Sequence, residues 1–576
     1  MLKSDSLIKK PLNRGLTIIL IINAFFVFLT IARAFFCIAI LDEAFNVGQA
    51  NRTIQGNQFL VENWDYFQTG DSFLTPFLYI FIKVTGSSEG IILFSRIVFI
   101  VLQTLLSVFI FRILSRYFDR IAAFFSVLIY ETAVLFLLFY MWYDNWEVYF
   151  RLIGLFLIVL VNCSYDKLSP KKSYLLIFLA GVVHACMVYA YPTMIIVYIL
   201  VLSLLYFYKR KQNTKIHKYR VLFYILGSAF VFIIFLSYVL RIGINKLFVF
   251  NDVISKAGLS STGRAGFFSA ESIITKTESL FVENIQYYAL GLIVLVVDLL
   301  MLYLLRKNKN RNLWFCIIMV FGFLVQLVNS IVTSDCINML MTYVSFYTIP
   351  LYYLLKKENE KREIYKDLIV LVMIPSYVAG VAYNYTALFG ALKFACGARP
   401  GAMITILLFY EVLKQSEIRK DIKLVFGSLA TFIVAMNVFT MYYVSFEGTK
   451  PYLCNTQIRN GIFKGLFDMP ENARRYEKVE MDLAEVISDG DKTITCGPYA
   501  MEFYLMTDLK PNAANLWDPN NTELLFQYYD MYYGEPDIIV LHDSADDVTS
   551  PEFLEFVDEN YELARYTDGY FIFHRK

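Results

Sequence analysis

Residues 16–44 read LTIILIINAFFVFLTIARAFFCIAILDEA, an apolar run long enough to cross a bilayer that ends on two adjacent carboxylates, Asp42 and Glu43. Lys9, Lys10 and Arg14 precede it, so the amino terminus is expected on the cytoplasmic side. No small-residue cleavage site follows, and more apolar runs do. The segment therefore reads as a retained span and not as a removable signal.

Runs of the same kind recur as far as Val444, and about 13 spans can be drawn. Basic residues fall in alternate connections: Arg112, Arg116 and Arg120; Lys167, Lys171 and Lys172; KRKQNTKIHKYR from Lys209; RKNKNR from Arg306; KKENEKR from Lys356; and Arg419 with Lys420. These are expected to be the cytoplasmic loops. The intervening connections, WYDNWE after Met141, the turn at Pro192 and SDCIN from Ser334, contain no Lys or Arg. With an odd number of spans, everything after Ser445 is expected outside, together with two other long outward segments, 42–90 and 241–284.

Composition agrees with this threading. Hydrophobic residues make up 57% and charged residues 18%, with a mean hydropathy of +0.52, which places the chain in the membrane class. A net charge of +2 leaves no global basic excess for nucleic acid, so none is expected as a partner. Eight cysteines without a CxxC pair or Cys/His ligand spacing argue against a structural metal site or a dense disulfide scaffold.

After Ser445 turn residues and carboxylates become frequent and no spanning run occurs, so 445–576 is expected to be a separate soluble domain. KTITC from Lys492 and PDIIVLHD from Pro536 read as buried strands, and YELARYTDGYFIFHRK reads as a terminal hairpin around Asp568-Gly569. Helical patterns begin at Tyr476, Tyr499 and Thr522, and the alternation predicts a small α/β domain able to fold alone. Cys454 and Cys496 both fall in it, and spacing leaves their pairing open.

Chemistry is expected at the outer face. On a continuing helix Asp42 and Glu43 point about 100° apart, so one can face a cavity while the other makes a different contact. A partly desolvated carboxylate at that depth is suited to act as a general base. A second acidic pair, Asp144 and Glu147, stands among Trp142, Tyr143, Trp146 and Tyr149, and can form another wall of the same cavity or an ordinary aromatic belt. His184, Tyr189 and Tyr191 read as packing residues.

The stretch from Leu41 to Ile97 resembles the first outer loop of GT-C superfamily glycosyltransferases, especially the polyprenyl-phosphate-sugar group that includes protein O-mannosyltransferases and aminoarabinose transferases. Asp42-Glu43-Ala44, Gly56, Trp64, Pro76 and Arg96 fill the places of that pattern, and Asp144 stands at the second acidic position. The resemblance covers roughly the first 160 residues. It implies an α-helical polytopic membrane enzyme with a C-terminal extracytoplasmic α/β domain. It also implies a polyprenyl-phosphate-linked donor, an extracytoplasmic glycan, lipid or protein acceptor, and Asp42, Glu43 and Asp144 as catalytic residues.

One departure bears on the donor. Relatives often carry Lys before the proline near Pro76, whereas this chain has Leu74-Thr75-Pro76-Phe77. Arg52, Arg241, Lys393 and Arg399 are the outward basic groups left to hold a phosphate, and Trp64 completes the expected substrate-binding set. The resemblance leaves a requirement for a divalent cation such as Mg2+ or Mn2+ open. A transporter or flippase of lipid-linked saccharides is the competing reading, and a receptor the third. No mid-membrane charge pattern or internal repeat favours transport.

Overall fold

In the computed structural model, residues 14–65, 68–134, 139–164, 168–208, 215–247, 285–333, 336–355, 361–386, 390–415, 421–443, 449–516, 522–544 and 549–576 are described, with short pieces between 274 and 282. Among them, 10 helices are long and apolar enough to cross a membrane, and three shorter apolar helices accompany them. The protein is a polytopic α-helical membrane protein. The expected count of about 13 spans compares with those 10; Pro192–Phe207 and Leu340–Leu355 are too short to cross alone, and Thr75–Thr85 lies within the expected outward segment 42–90.

The first part of the chain runs α1 (Arg14–Arg33), α2 (Ile40–Arg52), α3 (Gln68–Asp71), α4 (Thr75–Thr85), α5 (Ile91–Leu114), α6 (Arg120–Thr132), α7 (Tyr143–Cys163), α8 (Pro170–Ala190), α9 (Ile195–Phe207) and α10 (Lys215–Ile242). It continues with α11 (Ile285–Leu304), α12 (Arg311–Thr333), α13 (Cys336–Phe346), α14 (Thr348–Leu355), α15 (Arg362–Leu368), α16 (Ile374–Thr386), α17 (Gly390–Gln415) and α18 (Ile422–Tyr443). Local chemistry sets several of the ends. Asp119 caps α6 by accepting from the Ile121 amide at 2.9 Å, and Ser169 caps α8 ahead of Pro170.

Helix α17 is the buried axis of the bundle, even though it contains Pro400. Small residues permit this: a Cβ on Gly397 would stand 2.2 Å from the Ser376 carbonyl oxygen, so α16 can approach only because none is there. Apolar side chains on α10, α11 and α12, among them Phe232, Val296 and Phe321, are exposed and supply a lipid-facing surface.

The C-terminal domain, the outer domain of the expected topology, contains β1 (Thr456–Gln457), β2 (Phe467–Asp468), α19 (Pro470–Val486), β3 (Thr493–Cys496), β4 (Lys510–Pro511), α20 (Thr522–Met531), β5 (Ile538–His542), α21 (Pro551–Asn560), β6 (Tyr561–Thr567) and β7 (Tyr570–Arg575). Its main sheet has the order β4-β3-β5-β7-β6, with β3 parallel to β4 and β5, and β7 antiparallel to β5 and β6. The strands lie where the apolar runs predict them. The hairpin turns at Asp568 and Gly569, whose φ angles of 43° and 90° are what a tight two-residue turn requires. The helix expected from Tyr499 shrinks to a 3-10 turn, Met501–Tyr504, because Pro498 and the left-handed Tyr499 delay its start.

The domain packs against the segment that follows α2. Arg52 is fully buried. It donates to the Ala513 carbonyl, to Glu62 O at 2.6 Å, to Tyr528 Oη at 3.1 Å and to Ala514 O at 3.4 Å. Trp64 packs edge-on against Tyr528, ring centroids 5.1 Å apart, and its amide donates to Ala514 O at 2.8 Å. An isolated tail would expose these carbonyls and rings.

Candidate active site

Helix α2 begins three residues after a sharp corner at Cys37 and carries Asp42 and Glu43 in its first turn, where the helix dipole favours negative charge. The two carboxylates diverge as the helical geometry requires. Glu43 is fully buried and takes Arg96 in a two-pronged ion pair, at 2.7 Å and 2.5 Å. Asp42 is half-buried on the other side, and its backbone carbonyl accepts from Asn46 Nδ2 at 2.6 Å.

Below Asp42 lies an acidic and aromatic layer built by α3 and the start of α7. The turn α3 sits directly on α7 because residue 70 is glycine: a Cβ there would stand 2.3 Å from Tyr143 Cβ and 2.7 Å from the Ala190 carbonyl. Gln68 holds the preceding loop, accepting from the Leu60 amide at 3.0 Å and donating to Asn63 O at 2.7 Å. This places Asp71, 1% exposed, beside the amino-terminal end of α7. Burial pushes the Asp71 carboxyl well above the usual carboxylate range; the charges of Asp65 and Asp144 push the same way, and the Tyr143 amide opposes them.

Asp42, Asp71 and Asp144 all act electrostatically on the Tyr143 phenol, as does Tyr191. The Tyr143 ring packs on Trp142 at 5.3 Å and on Tyr191 at 5.8 Å, and Tyr191 meets Tyr383 edge-on at 5.0 Å. The Tyr383 hydroxyl donates to Glu147, which also pairs with Arg151 at 2.7 Å. Below that, His184 bridges the Arg151 carbonyl at 3.2 Å and Tyr224 Oη at 2.8 Å, with Gly154 leaving room for the imidazole. His184 thus packs as the sequence suggests, and Glu147 is bound into the floor.

The basic residues divide. Arg399 lies on α17, its guanidinium 4.8 Å from the Tyr130 ring centre, and donates to Tyr130 O at 3.0 Å; its Nε has no partner among the described residues. Arg241 is exposed in the last turn of α10. Lys393 belongs to α17, and its side chain lies outside the described residues. Arg52 and Trp64 are engaged with the C-terminal domain. Arg52 is 10 residues along α2 from Asp42, about 15 Å of helix.

The structure therefore puts Asp42 and Asp144 within electrostatic reach of the same side chain, Tyr143, and places near it Asp71 and Tyr191; Asp71, Tyr143 and Tyr191 are not singled out as functional from the sequence. Of these, only Asp71 has a local signal, a carboxylate directly after a glycine in an outward loop. No three His, Cys, Asp or Glu side chains converge as metal ligands among the described residues. The arrangement sets a partly exposed carboxylate, Asp42, near buried acidic side chains and packed aromatic rings.

No protein-family profile matches the chain, and no curated protein does. Among solved structures, the crystal structure of ArnT from Cupriavidus metallidurans in the apo state is similar over 97% of this chain and 98% of that one, with a TM-score of 0.42 and 9% identity. The same protein bound to undecaprenyl phosphate gives equal coverage and identity with a TM-score of 0.38.

Proposed function

We propose that the chain is an integral-membrane glycosyltransferase of the GT-C type, moving a sugar from a polyprenyl-phosphate carrier to an extracytoplasmic acceptor hydroxyl with inversion. The observation that carries this reading is that Asp42 and Asp71, on the segment that bears the Asp-Glu-Ala resemblance, and Asp144, on α7, all lie within electrostatic reach of Tyr143. In this scheme the acceptor oxygen attacks the anomeric carbon while Asp42 takes its proton, and the carrier phosphate leaves with the electrons of the broken C–O bond. Asp144 and Asp71 orient sugar hydroxyls. Glu43, tied to Arg96, positions the turn that aims Asp42.

Arg399 is the best-placed basic group for the departing phosphate, because one guanidinium nitrogen is uncommitted and the group is largely desolvated. Lys393 and Arg241 are the further candidates. The reading also requires a cytoplasmic amino terminus and an outward tail, as the basic loops suggest.

Transfer from a synthetic polyprenyl-phosphate sugar, measured with the full chain in nanodiscs, tests the scheme. Asp42→Asn keeps the shape but cannot accept the proton, and is expected to lower the rate by about 10² to 10⁴. Asp144→Asn is expected to fall between that and a milder Glu43→Gln. Wild-type turnover by Asp42→Asn would remove the base, and translocation of the lipid-linked sugar without transfer would favour a flippase.

A further inference from the structure

Cys37 sits at the corner between α1 and α2, with a left-handed φ of 62°. The corner is held from three sides. Arg96 Nη2 donates to the Cys37 carbonyl at 2.7 Å, the Cys37 amide donates to Phe467 O at 2.9 Å, and the Phe467 amide donates to Phe35 O at 2.7 Å. Facing it is Cys454, which follows the 3-10 turn Pro451–Leu453 at the start of the outer domain. The two sulfur atoms are 3.2 Å apart and both residues are buried. Cys496, the other cysteine of the outer domain, lies on β3 and is not the partner of Cys454 in this geometry.

We propose that Cys37 and Cys454 are joined by a disulfide in the mature protein, stapling the outer domain to the corner that launches the helix bearing Asp42. The pairing is argued from the facing sulfurs and the fixed backbone on each side. Its formation rests on the outward placement given above, where thiols meet oxidising surroundings. Bringing the sulfurs to bonding distance takes a movement of about 1 Å, within the freedom of two side-chain torsions. The bond would close a separation of 417 residues, a large constraint on the unfolded chain.

The surroundings also distinguish the two thiols. Cys37 is held below the usual thiol range, because it shares a hydrogen bond with Cys454 and the Arg33 and Arg96 guanidiniums lie nearby; burial and the Asp468 charge oppose this. In the exchange that makes the bond one cysteine is the attacking sulfur, here Cys37. Its thiolate attacks one sulfur of the disulfide of a thiol oxidase, forming a mixed disulfide and releasing one oxidase thiolate. Cys454, losing its proton, then attacks Cys37 Sγ and displaces the second oxidase thiolate. Both electrons end on the oxidase, which leaves as the dithiol after taking up two protons.

The test is peptide mapping by mass spectrometry of the full chain, taken from cells with a thiol-alkylating agent present and no reductant. A cross-linked peptide pair containing Cys37 and Cys454 is expected, with neither site alkylated. Cys37→Ser and Cys454→Ser should each free the other thiol and lower the thermal midpoint equally, and the double variant should fall no further. Reductant should bring the wild type to the same midpoint and leave the variants unmoved. Additive losses that ignore reductant, or alkylation at both sites in the untreated protein, would overturn the disulfide. Labelling of a Ser87→Cys variant on intact cells by a membrane-impermeant maleimide separates the causes. Outward labelling with both thiols free overturns the staple alone, whereas absence of outward labelling with both thiols free overturns the staple and the topology it rests on.

Discussion

Arg96 and Glu43 form a buried two-pronged ion pair, Nε to Oε1 at 2.7 Å and Nη2 to Oε2 at 2.5 Å, and the same guanidinium donates to the Ala34 and Cys37 carbonyls. One side chain from the second long apolar helix thus holds both the end of the first span and the first turn of α2. Asp42, next in the chain to Glu43, inherits its position from that pair.

Arg96→Ala is expected to be far more damaging than Glu43→Gln. It removes a charge partner and leaves two buried carbonyls unanswered, whereas Gln keeps acceptor geometry toward Arg96. A loss on the order of 3–5 kcal/mol is expected for Arg96→Ala, read as a lowered thermal midpoint of the detergent-solubilised chain. An unchanged midpoint would mean that the corner is held without Arg96.

Gly70→Ala places a methyl group where Tyr143 Cβ and the Ala190 carbonyl already stand. Neither neighbour is the far end of a flexible side chain, so α3 must lift from α7, carrying Asp71 away from Tyr143. A displacement of about 1 Å at such a site can cost on the order of 10²-fold in rate. Transfer should therefore fall strongly while the spans still insert; wild-type turnover would place the chemistry elsewhere.

Arg52 tests whether its role is donor binding or domain assembly. Arg52→Ala strips donors from Glu62, Ala513 and Ala514 at once, and Arg52→Lys cannot restore the planar fork. Both variants should make the segment after Ser445 sensitive to protease, with donor KM unchanged in the fraction that stays folded. A raised donor KM with a protease-resistant tail would return Arg52 to the substrate site.

Glu502 gives the C-terminal domain a pH signature. Burial raises its carboxyl to about 7, against a hydrogen bond from Tyr570 Oη at 2.6 Å and the nearby Arg475. The folded state therefore binds the proton more tightly than the unfolded chain. The stabilisation this brings is complete below the unfolded carboxyl range and is lost as pH rises through about 7. Glu502→Gln should be stabilised relative to wild type at pH near 8, by an amount that shrinks toward pH 5. Thermal melts at the two pH values check this, and equal differences would remove Glu502 as the titrating group.

Much of this architecture is legible along the chain. Spanning length, basic-loop alternation and the composition change near Ser445 are one-dimensional signals of bilayer thickness and charge. β3, β5 and the Asp568-Gly569 hairpin are equally local, since a doubly buried strand and a tight turn each demand particular residues in a row. The divergence of Asp42 and Glu43 also follows from adjacency on a helix.

What each of them faces does not follow. Glu43 meets Arg96 from 53 residues away, Arg52 meets Ala513 from 461 away, and Cys37 meets Cys454 from 417 away. Asp71 looks like one carboxylate in a polar loop until Gly70 lets α3 rest on Tyr143. A buried charge acquires its partner from packing between segments, and no local pattern of residues encodes which remote carbonyl, carboxylate or thiol the fold will bring within reach.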